Sequence, residues 1–282
     1  MTDKSDLFPL PTGDFRRIRS YLAPHVYATW TEDEPNRWPP PNDLIPEDDW
    51  DNVIHLPTDV LLKTTSYNGS WASRLNKLTS GWIFAIPVGD EAPFMSGPSL
   101  IAYEEFDAVV FNAVHGYFRH ALGCLRNALE VLAAAAGLAV TNDTAKYQAW
   151  QAGTVEVPMR DARRLVENSQ AGGAIDTAVT PKVFGNDNTH WLKRRYKALC
   201  AYTHGGPGAR NMDFWQSNGP IYVPEALPVV EAELRETLAL AYLLLKVGWD
   251  GYVPREGAAA RLLSGPATGW QEYQTFLTAQ LT

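Results

Sequence analysis

The chain has 282 residues, of which 45% are hydrophobic, and it includes 10 tryptophans. This length and composition predict a sizeable buried core, in one large domain or two small ones, and exclude a disordered chain. The formal net charge of -8 argues against a protein whose whole surface grips nucleic acid, because phosphate binding needs clustered Lys and Arg.

Two features favour a cytoplasmic protein. The only cysteines, Cys124 and Cys200, fall within apolar helical patterns, where a free thiol behaves as a small core residue in a reducing compartment. The N-terminal stretch MTDKSDLFPLPTGDF lacks the order of a secretory signal, and no run approaches the roughly 18 uninterrupted apolar residues that a membrane span needs. We therefore expect no membrane partner.

Residues 1–100 carry most of the acidic excess and many prolines, as in TEDEPNRWPPPNDLIPEDDWDNV. Because proline disfavours helix interiors, we expect no long regular helix here beyond a short Arg-rich one near 13–22. We expect the segment to wrap a helical body and to fill surface grooves with its tryptophans, which are Trp30, Trp38, Trp50, Trp71 and Trp82. The best strand candidate is GWIFAIPVG, residues 81–89.

Helical periodicity begins near residue 103. Apolar residues recur every three or four positions from Phe106 to Gly137, which predicts one long amphipathic helix. Pro158 suits the first turn of a second helix, through MRDARRLVENSQ to Gly172 and Gly173. The following AGGAIDTAVTPKVFGNDN is predicted to be a loop.

A third helix is predicted from a cap at Asn188 or Thr189 to His204, with Gly205 in the left-handed cap conformation. The last strong helix is predicted from residue 226 to residue 249. Its apolar stripe comprises Val230, Leu234, Leu238, Ala241, Tyr242 and Leu245.

A terminal helix is expected around residues 270–277. Together these elements predict a mainly α fold, an antiparallel helical bundle with a long irregular N-terminal region and little β structure. The expected boundary lies at about residue 100, with the bundle over 101–282, unless the whole chain forms one compact domain.

Motifs that are diagnostic of one reaction are missing: the sequence has no phosphate-binding loop, dinucleotide fingerprint, HExxH, paired CxxC or nucleophile elbow. His120 with Cys124 is too sparse for a metal site, which needs three or four ligands. We therefore predict no metal and no cofactor.

Polar residues cluster on two of the predicted helices. On the long one, His115 and Arg119 are four positions apart and are expected to share a face. Arg126 and Glu130 have the same spacing, which predicts an intrahelical ion pair, and Asn127 lies beside them.

The second cluster is the run Lys193, Arg194, Arg195 and Lys197, which precedes His204. Between residues 146 and 197 there are nine Lys or Arg against five Asp or Glu, a basic region inside an acidic protein. Such a run is commonly a solvated face, and a His at a helix end commonly interacts with the helix dipole. Phosphate binding is the functional alternative.

The segments CLRNALEVL and RRYKALCAYTHGG resemble the HEPN superfamily, helical bundles many of which cut RNA without a metal in bacterial toxin and antiviral systems. In that family an Arg, four to six variable residues and a His lie near a helix end, and two protomers commonly bring them together around the scissile phosphate. The resemblance covers roughly residues 104–250. It implies an RNA-binding or RNA-cleaving protein that forms a homodimer or has a protein partner.

The chemistry implied by the resemblance needs no metal, because the 2′-hydroxyl of RNA attacks once a His removes its proton and a fixed cation stabilises the phosphorus charge. His204 would be the acid or base, with Lys197 or Arg195 as the phosphate clamp. Six residues separate Lys197 from His204, and eight separate Arg195 from it. Because lysine lacks the planar donors of arginine, catalysis carried by Lys197 would be weak or absent. Support in RNA binding is expected from Arg126, Asn127, Lys193 and Arg194.

The alternative is a non-catalytic helical scaffold that docks a partner through its acidic, Trp-rich N-terminal region. The two hypotheses differ in a geometric requirement. The enzyme needs His204 and at least one of Lys197, Arg195 or Arg126 to face one solvent-reachable cleft, within one protomer or across two.

Overall fold

The computed structural model describes residues 46–50, 53, 55–87, 92–178, 182–204, 219–249 and 252, except for the side chains of residues 47, 48 and 204. Within these ranges the chain is 76% helical and has no strand, which confirms the mainly α bundle. A one-turn helix at Glu47–Trp50 precedes α1 (Leu56–Trp82), α2 (Ser96–Val114), α3 (Phe118–Thr141), α4 (Thr144–Gln151), α5 (Met159–Glu167), α6 (Gln170–Ala178), α7 (Trp191–His204) and α8 (Ala226–Gly248).

The core is built around α3, which packs against α2, α5, α7 and α8, while α1 packs against α2 and α8. Its alanines let these neighbours approach closely, and at Gly137 a Cβ would lie only 3.0 Å from the carbonyl oxygen of Ala162 in α5. Among the described residues, α3 alone has the length and hydropathy of a membrane-crossing helix. In this fold its apolar side chains form the centre of the bundle.

The prediction of one long helix through residue 116 is wrong. The chain breaks between α2 and α3 at Gly116, whose φ is +79°, a conformation that glycine adopts at little cost. The backbone of Ile221 packs directly on this turn, and its N–H donates to the Gly116 carbonyl at 3.3 Å. The apolar period continues across the break because both helices bury a face in the same core.

The expectation of no long helix before residue 100 is wrong for α1, which has 27 residues. Its proline lies at Pro57 in the first turn, where the missing N–H costs no hydrogen bond. A kink at Asn68, with φ −134° and ψ 25°, interrupts the helix. Residue 100 itself lies inside α2, and the predicted helix at 13–22 falls outside the described residues.

The strand expected at 81–89 is also wrong over residues 81–87, where α1 ends in a turn. Trp82 lies fully inside the core instead of in a surface groove, and its indole Nε1 donates to the carbonyl of Ser99 at 3.0 Å. Trp50 and Trp71 are half-buried. Trp30, Trp38 and the helix predicted at 270–277 lie outside the described residues.

The segment after Pro158 contains two helices where one helix and a loop were expected. α5 ends at Glu167, and the glycines predicted to end it lie inside α6. The Asp176 carboxylate of α6 accepts hydrogen bonds from the N–H groups of Val183 at 2.7 Å and Phe184 at 2.9 Å. These bonds join a glycine-rich helix to the next segment, a contact that local spacing does not reveal.

The helices predicted to end at His204 and to cover residues 226–249 are confirmed as α7 and α8. The first N–H groups of α7, those of Trp191 and Leu192, donate to the carbonyls of Lys182 and Val183, each at 3.0 Å. The expected cap is therefore replaced by backbone acceptors, and Thr189 donates its hydroxyl to Asp187. The stripe predicted for α8 is fully buried throughout, whereas Gly205 lies outside the described residues.

The turn between α2 and α3 predicts a large effect of Gly116→Ala. A Cβ at Gly116 would lie 2.1 Å from the Ile221 carbonyl oxygen, so we expect the free energy of unfolding to fall by about 2–4 kcal/mol. Gly153→Ala is the matched control, because Gly153 has φ +70° with no atom within 4 Å of the added Cβ. It should cost only about 1 kcal/mol in urea denaturation; equal losses in the two variants would contradict the packing at Gly116.

Candidate functional site

The helix α7 divides the predicted site residues among three sides. Its fully buried residues Trp191, Leu192 and Leu199 anchor it in the bundle, where it packs against α3 and α8. Residues three or four apart share a side of a helix. The polar side chains therefore face α3, α8 or the solvent according to their register, and they do not converge on one point.

On the α3 side, Arg126, Glu130 and Tyr196 form a compact cluster. The predicted ion pair is present, with Arg126 Nη2 at 2.7 Å from Glu130 Oε1, and the same Arg126 nitrogen donates to the Tyr196 hydroxyl at 3.2 Å. Tyr196 in turn donates to Glu130 Oε1. Segments 70 positions apart along the chain therefore pack side by side.

The contacts within the cluster stabilise the protonated forms of Arg126 and Tyr196. Burial opposes the charge of Arg126, but the hydrogen bond to Tyr196 and the Glu130 carboxylate outweigh it and raise the pKa of Arg126. Burial and the hydrogen bond to Glu130 raise the pKa of Tyr196 well above its ordinary value. Tyr196 therefore stays protonated near neutral pH and acts as a structural donor instead of a general base.

At the C-terminal end of α7, the guanidinium of Arg119 reaches across from α3. Its Nε donates to the Tyr202 carbonyl at 2.5 Å, and its Nη2 donates to the Thr203 carbonyl at 2.8 Å. Both carbonyls lie in the last turn of α7, so Arg119 complements the negative end of the helix dipole there. A fixed cation therefore lies at the end of the helix that His204 closes.

The expected shared face of His115 and Arg119 is wrong, because the two residues lie on opposite sides of the break at Gly116. His115 Nδ1 instead pairs with the Phe111 carbonyl at 2.8 Å. The position of Arg119 at the end of α7 was missed, because a contact over 83 positions leaves no signal in local spacing. His204 is the last residue of α7, and its side chain lies outside the described residues.

On the α8 side, Arg195 is held by two carboxylates. Its Nη1 pairs with Glu233 and its Nη2 with Glu236, and Glu236 also accepts from the Trp191 indole at 2.9 Å. Only 14% of the Arg195 side chain is exposed. A phosphate would have to displace both carboxylates from this arginine, so its predicted role as a phosphate clamp conflicts with its contacts.

The remaining cations of α7 face the solvent. Arg194 and Lys197 are exposed, and in the described part of the chain neither side chain has a hydrogen bond or an ion pair. Lys193 donates from Nζ to the Asn186 carbonyl at 2.5 Å. Hydrogen bonds from Thr189 and, to a smaller degree, the charge of Lys193 lower the pKa of the nearby Asp187 carboxyl, so this carboxylate offsets part of the charge that Lys193 adds to the solvent side.

Asn127 was predicted to act with Arg126, but the two side chains diverge. Asn127 is exposed and approaches Glu105 of α2, with 3.5 Å between its Nδ2 and Glu105 Oε1. Cys124 is half-buried near this contact, and burial, with a smaller effect of Glu105, raises its pKa to about 12. This environment suits the predicted role of a small core residue without reactivity.

A buried lysine of α1 was missed by sequence reasoning. Lys63 is 7% exposed, and its Nζ lies 4.4 Å from the centroid of the Tyr222 ring. In the described part of the chain it has no ion pair, and burial lowers its pKa to about 8. The only sequence signal for this burial was that Lys63 comes four residues after Asp59. That signal was not usable, because the helix that carries both residues was not predicted.

Neighbouring charges on α8 are paired. Glu231 accepts from Arg235 at 2.6 Å and from Arg74 of α1 at 2.8 Å. This network fixes α1 against α8. Across the described residues, no group of three or more His, Cys, Asp or Glu is placed to hold a metal ion.

Comparison of the chain with protein-family models, with curated proteins and with solved structures gives no match. The resemblance to the HEPN superfamily therefore depends on the two sequence segments alone and stays a prediction.

The double ion pair of Arg195 predicts a large stability loss in Arg195→Ala. Removing the guanidinium leaves Glu233 and Glu236 partly buried without a counter-ion, which should cost about 3–5 kcal/mol in chemical denaturation at pH 7. Arg194→Ala, at the exposed neighbouring position, is the matched control and should change stability by less than about 0.5 kcal/mol.

The free energy of unfolding of Arg195→Ala should depend on pH. Burial already raises the pKa of Glu233 while Arg195 opposes the rise, so removing Arg195 raises it further. The folded variant then binds more protons than its unfolded chain, and its stability should recover as the pH falls from 7 toward 5. A penalty that is constant over this range would contradict the ion pairs.

The buried amine of Lys63 predicts a second pH effect. Its pKa is lowered from 10.5 to about 8 in the folded state, so between these values the unfolded chain binds more protons and stability rises with pH. Lys63→Met should remove this rise and stabilise the protein at pH 7 by on the order of 1–3 kcal/mol. Lys77→Met, at an exposed lysine of the same helix, is the matched control. Denaturation curves from pH 7 to 9.5 should show the same stability at pH 7 and the same rise with pH as in wild type.

Proposed function

We propose that this chain is a HEPN-like helical protein that binds RNA along the solvent side of α7. Three cations project from this side, namely Lys193, Arg194 and Lys197. The observation that carries the proposal is that Arg194 and Lys197 are exposed and have no carboxylate partner within the described part of the chain. Unpaired cations on one helix side attract the phosphates of a nucleic acid, even in a protein with net negative charge.

The geometry supports binding better than cleavage. Arg195, the predicted catalytic arginine, pairs with Glu233 and Glu236, and Arg126, the predicted RNA-binding arginine, pairs with Glu130. The free cation at the family's spacing from His204 is therefore Lys197. An ammonium group is a point charge that binds phosphate without fixing its orientation, so it suits affinity more than stabilisation of a transition state.

RNA binding should depend on these cations and on salt. With a fluorescently labelled single-stranded RNA and polarisation as the readout, the double variant Arg194→Gln/Lys197→Gln should bind more weakly than wild type. The negative slope of log affinity against log salt concentration should become shallower by about 1.4, at roughly 0.7 for each lost phosphate contact. Lys77→Gln/Lys146→Gln removes two exposed charges from α1 and α4 and is the matched control.

Cleavage is measured separately, with the same RNA in EDTA. We expect wild type and His204→Ala to leave the RNA intact while wild type binds it. Metal-independent cleavage that is lost in His204→Ala would instead establish the catalytic form of the family. Absence of RNA binding by wild type at low salt would contradict the proposal.

A second candidate function is a non-catalytic scaffold that docks a second copy of the chain or another protein. It is favoured by large apolar side chains exposed on α2, where Leu100, Ile101 and Phe111 are 54%, 45% and 61% exposed. Surface patches of this kind commonly mark protein interfaces. The acidic, Trp-rich N-terminal region that the sequence predicts as the docking surface lies mostly outside the described residues.

A further inference from the structure

An open pocket of about 500 Å³ lies beside α3. It is formed by α3, the end of α4 and the loop that leads to α5. Its lining comprises Glu130, Val131, Ala134, Trp150, Gly153, Val155, Glu156, Val157, Pro158 and Met159. A volume of this order matches small-molecule sites, which typically measure about 300–1,000 Å³.

The chemistry of the lining is asymmetric. Apolar side chains are the most numerous, but polar and apolar atoms contribute about equally to its surface, and both ionisable residues that line it, Glu130 and Glu156, are carboxylates. Glu156 is exposed, and in the described part of the chain it has no hydrogen bond or ion pair. No lining residue carries a positive charge, so the pocket disfavours an anion.

Glu130 is fixed from outside the pocket. Its Oε1 accepts from both Arg126 and Tyr196, while those contacts leave Oε2 unused within the described part of the chain. The guanidinium offsets part of the Glu130 charge, and Glu156 supplies a charge that no described residue pairs with. The two carboxylates and Arg126 therefore leave about one negative charge for a ligand to neutralise.

Trp150 supplies the third recognition element. It is half-buried and packs against Tyr147 with 5.8 Å between the ring centroids, which limits its rotation. Indole is the strongest of the aromatic side chains in attracting a cation to its face. A tryptophan, two carboxylates and an apolar wall are the groups that recognise an ammonium ion on an apolar body.

We propose that this pocket binds a small organic monocation, an amine with an apolar or aromatic body. The ammonium group pairs with Glu156 and the free oxygen of Glu130. The apolar body packs on Trp150, Val157 and Met159. This site is independent of the RNA proposal, because the groups that recognise its ligand lie outside the exposed cations of α7.

Isothermal titration of the full chain with phenethylamine tests the proposal, with 2-phenylethanol and 3-phenylpropionate as neutral and anionic compounds of the same shape. We expect saturable binding of the amine and at least about tenfold weaker binding of the other two, the loss that corresponds to one ion pair of about 1.4 kcal/mol. Equal binding of the alcohol, or no binding of the amine, would overturn the proposal.

Variants separate charge recognition from structure. Glu156→Gln should weaken amine binding about tenfold without loss of stability, because its side chain is exposed and unpaired. Glu104→Gln, at an exposed position of α2, is the matched control and should bind as wild type does. Trp150→Leu should weaken the amine more than the alcohol. If Glu156→Gln binds as tightly as Glu104→Gln, the ammonium site is refuted.

Discussion

The burial of α3 is the constraint on which the other elements depend. Helices α2, α5, α7 and α8 all pack against it, and 13 of its residues, the first Phe118 and the last Leu138, are buried. Each large apolar side chain buried in this way contributes about 1.5–3 kcal/mol. Its alanines and Gly137 set how close the neighbours come, so the positions of α5 and α7 follow from the small side chains of α3.

This packing also decides which charges remain available. The sides of α7 that meet other helices carry Tyr196 and Arg195, and both side chains find partners on those helices. A buried charge without a partner would cost several kcal/mol, so the carboxylates that pair with Arg126 and Arg195 depend on these arginines in the folded state. The cations left for a ligand are those on the solvent side of α7. Water solvates these charges, so they need no carboxylate partner in the folded state.

The sequence predicted the elements whose signal is local. The stripe of α8 and the extent of α7 follow from apolar spacing, and the ion pair of Arg126 with Glu130 follows from a separation of four positions. The break at Gly116 was missed because its cause is the backbone of Ile221, 105 positions later (221 − 116). No periodicity reports such a contact.

The same reason explains the errors in α1 and α6. α1 is rich in Ser, Thr and Asn, which are weak helix formers, and its packing against α2 and α8 compensates. α6 contains two adjacent glycines and is tied to the next segment by Asp176. In the site, the partners of Arg119 and Arg195 lie 83 and 38 positions away, so spacing revealed the cations but not whether they were free.

Glu130 links the two proposed surfaces. Its contacts with Arg126 and Tyr196 join α3 to α7, and its carboxylate also lines the pocket. Because Arg126 neutralises part of that carboxylate, the sign of the pocket is set mainly by Glu156, and the sign of the outer side of α7 is set by Lys193, Arg194 and Lys197. The pocket and the outer side of α7 therefore carry charges of opposite sign. Because Arg126 pairs with Glu130, it has little free charge to offer a phosphate.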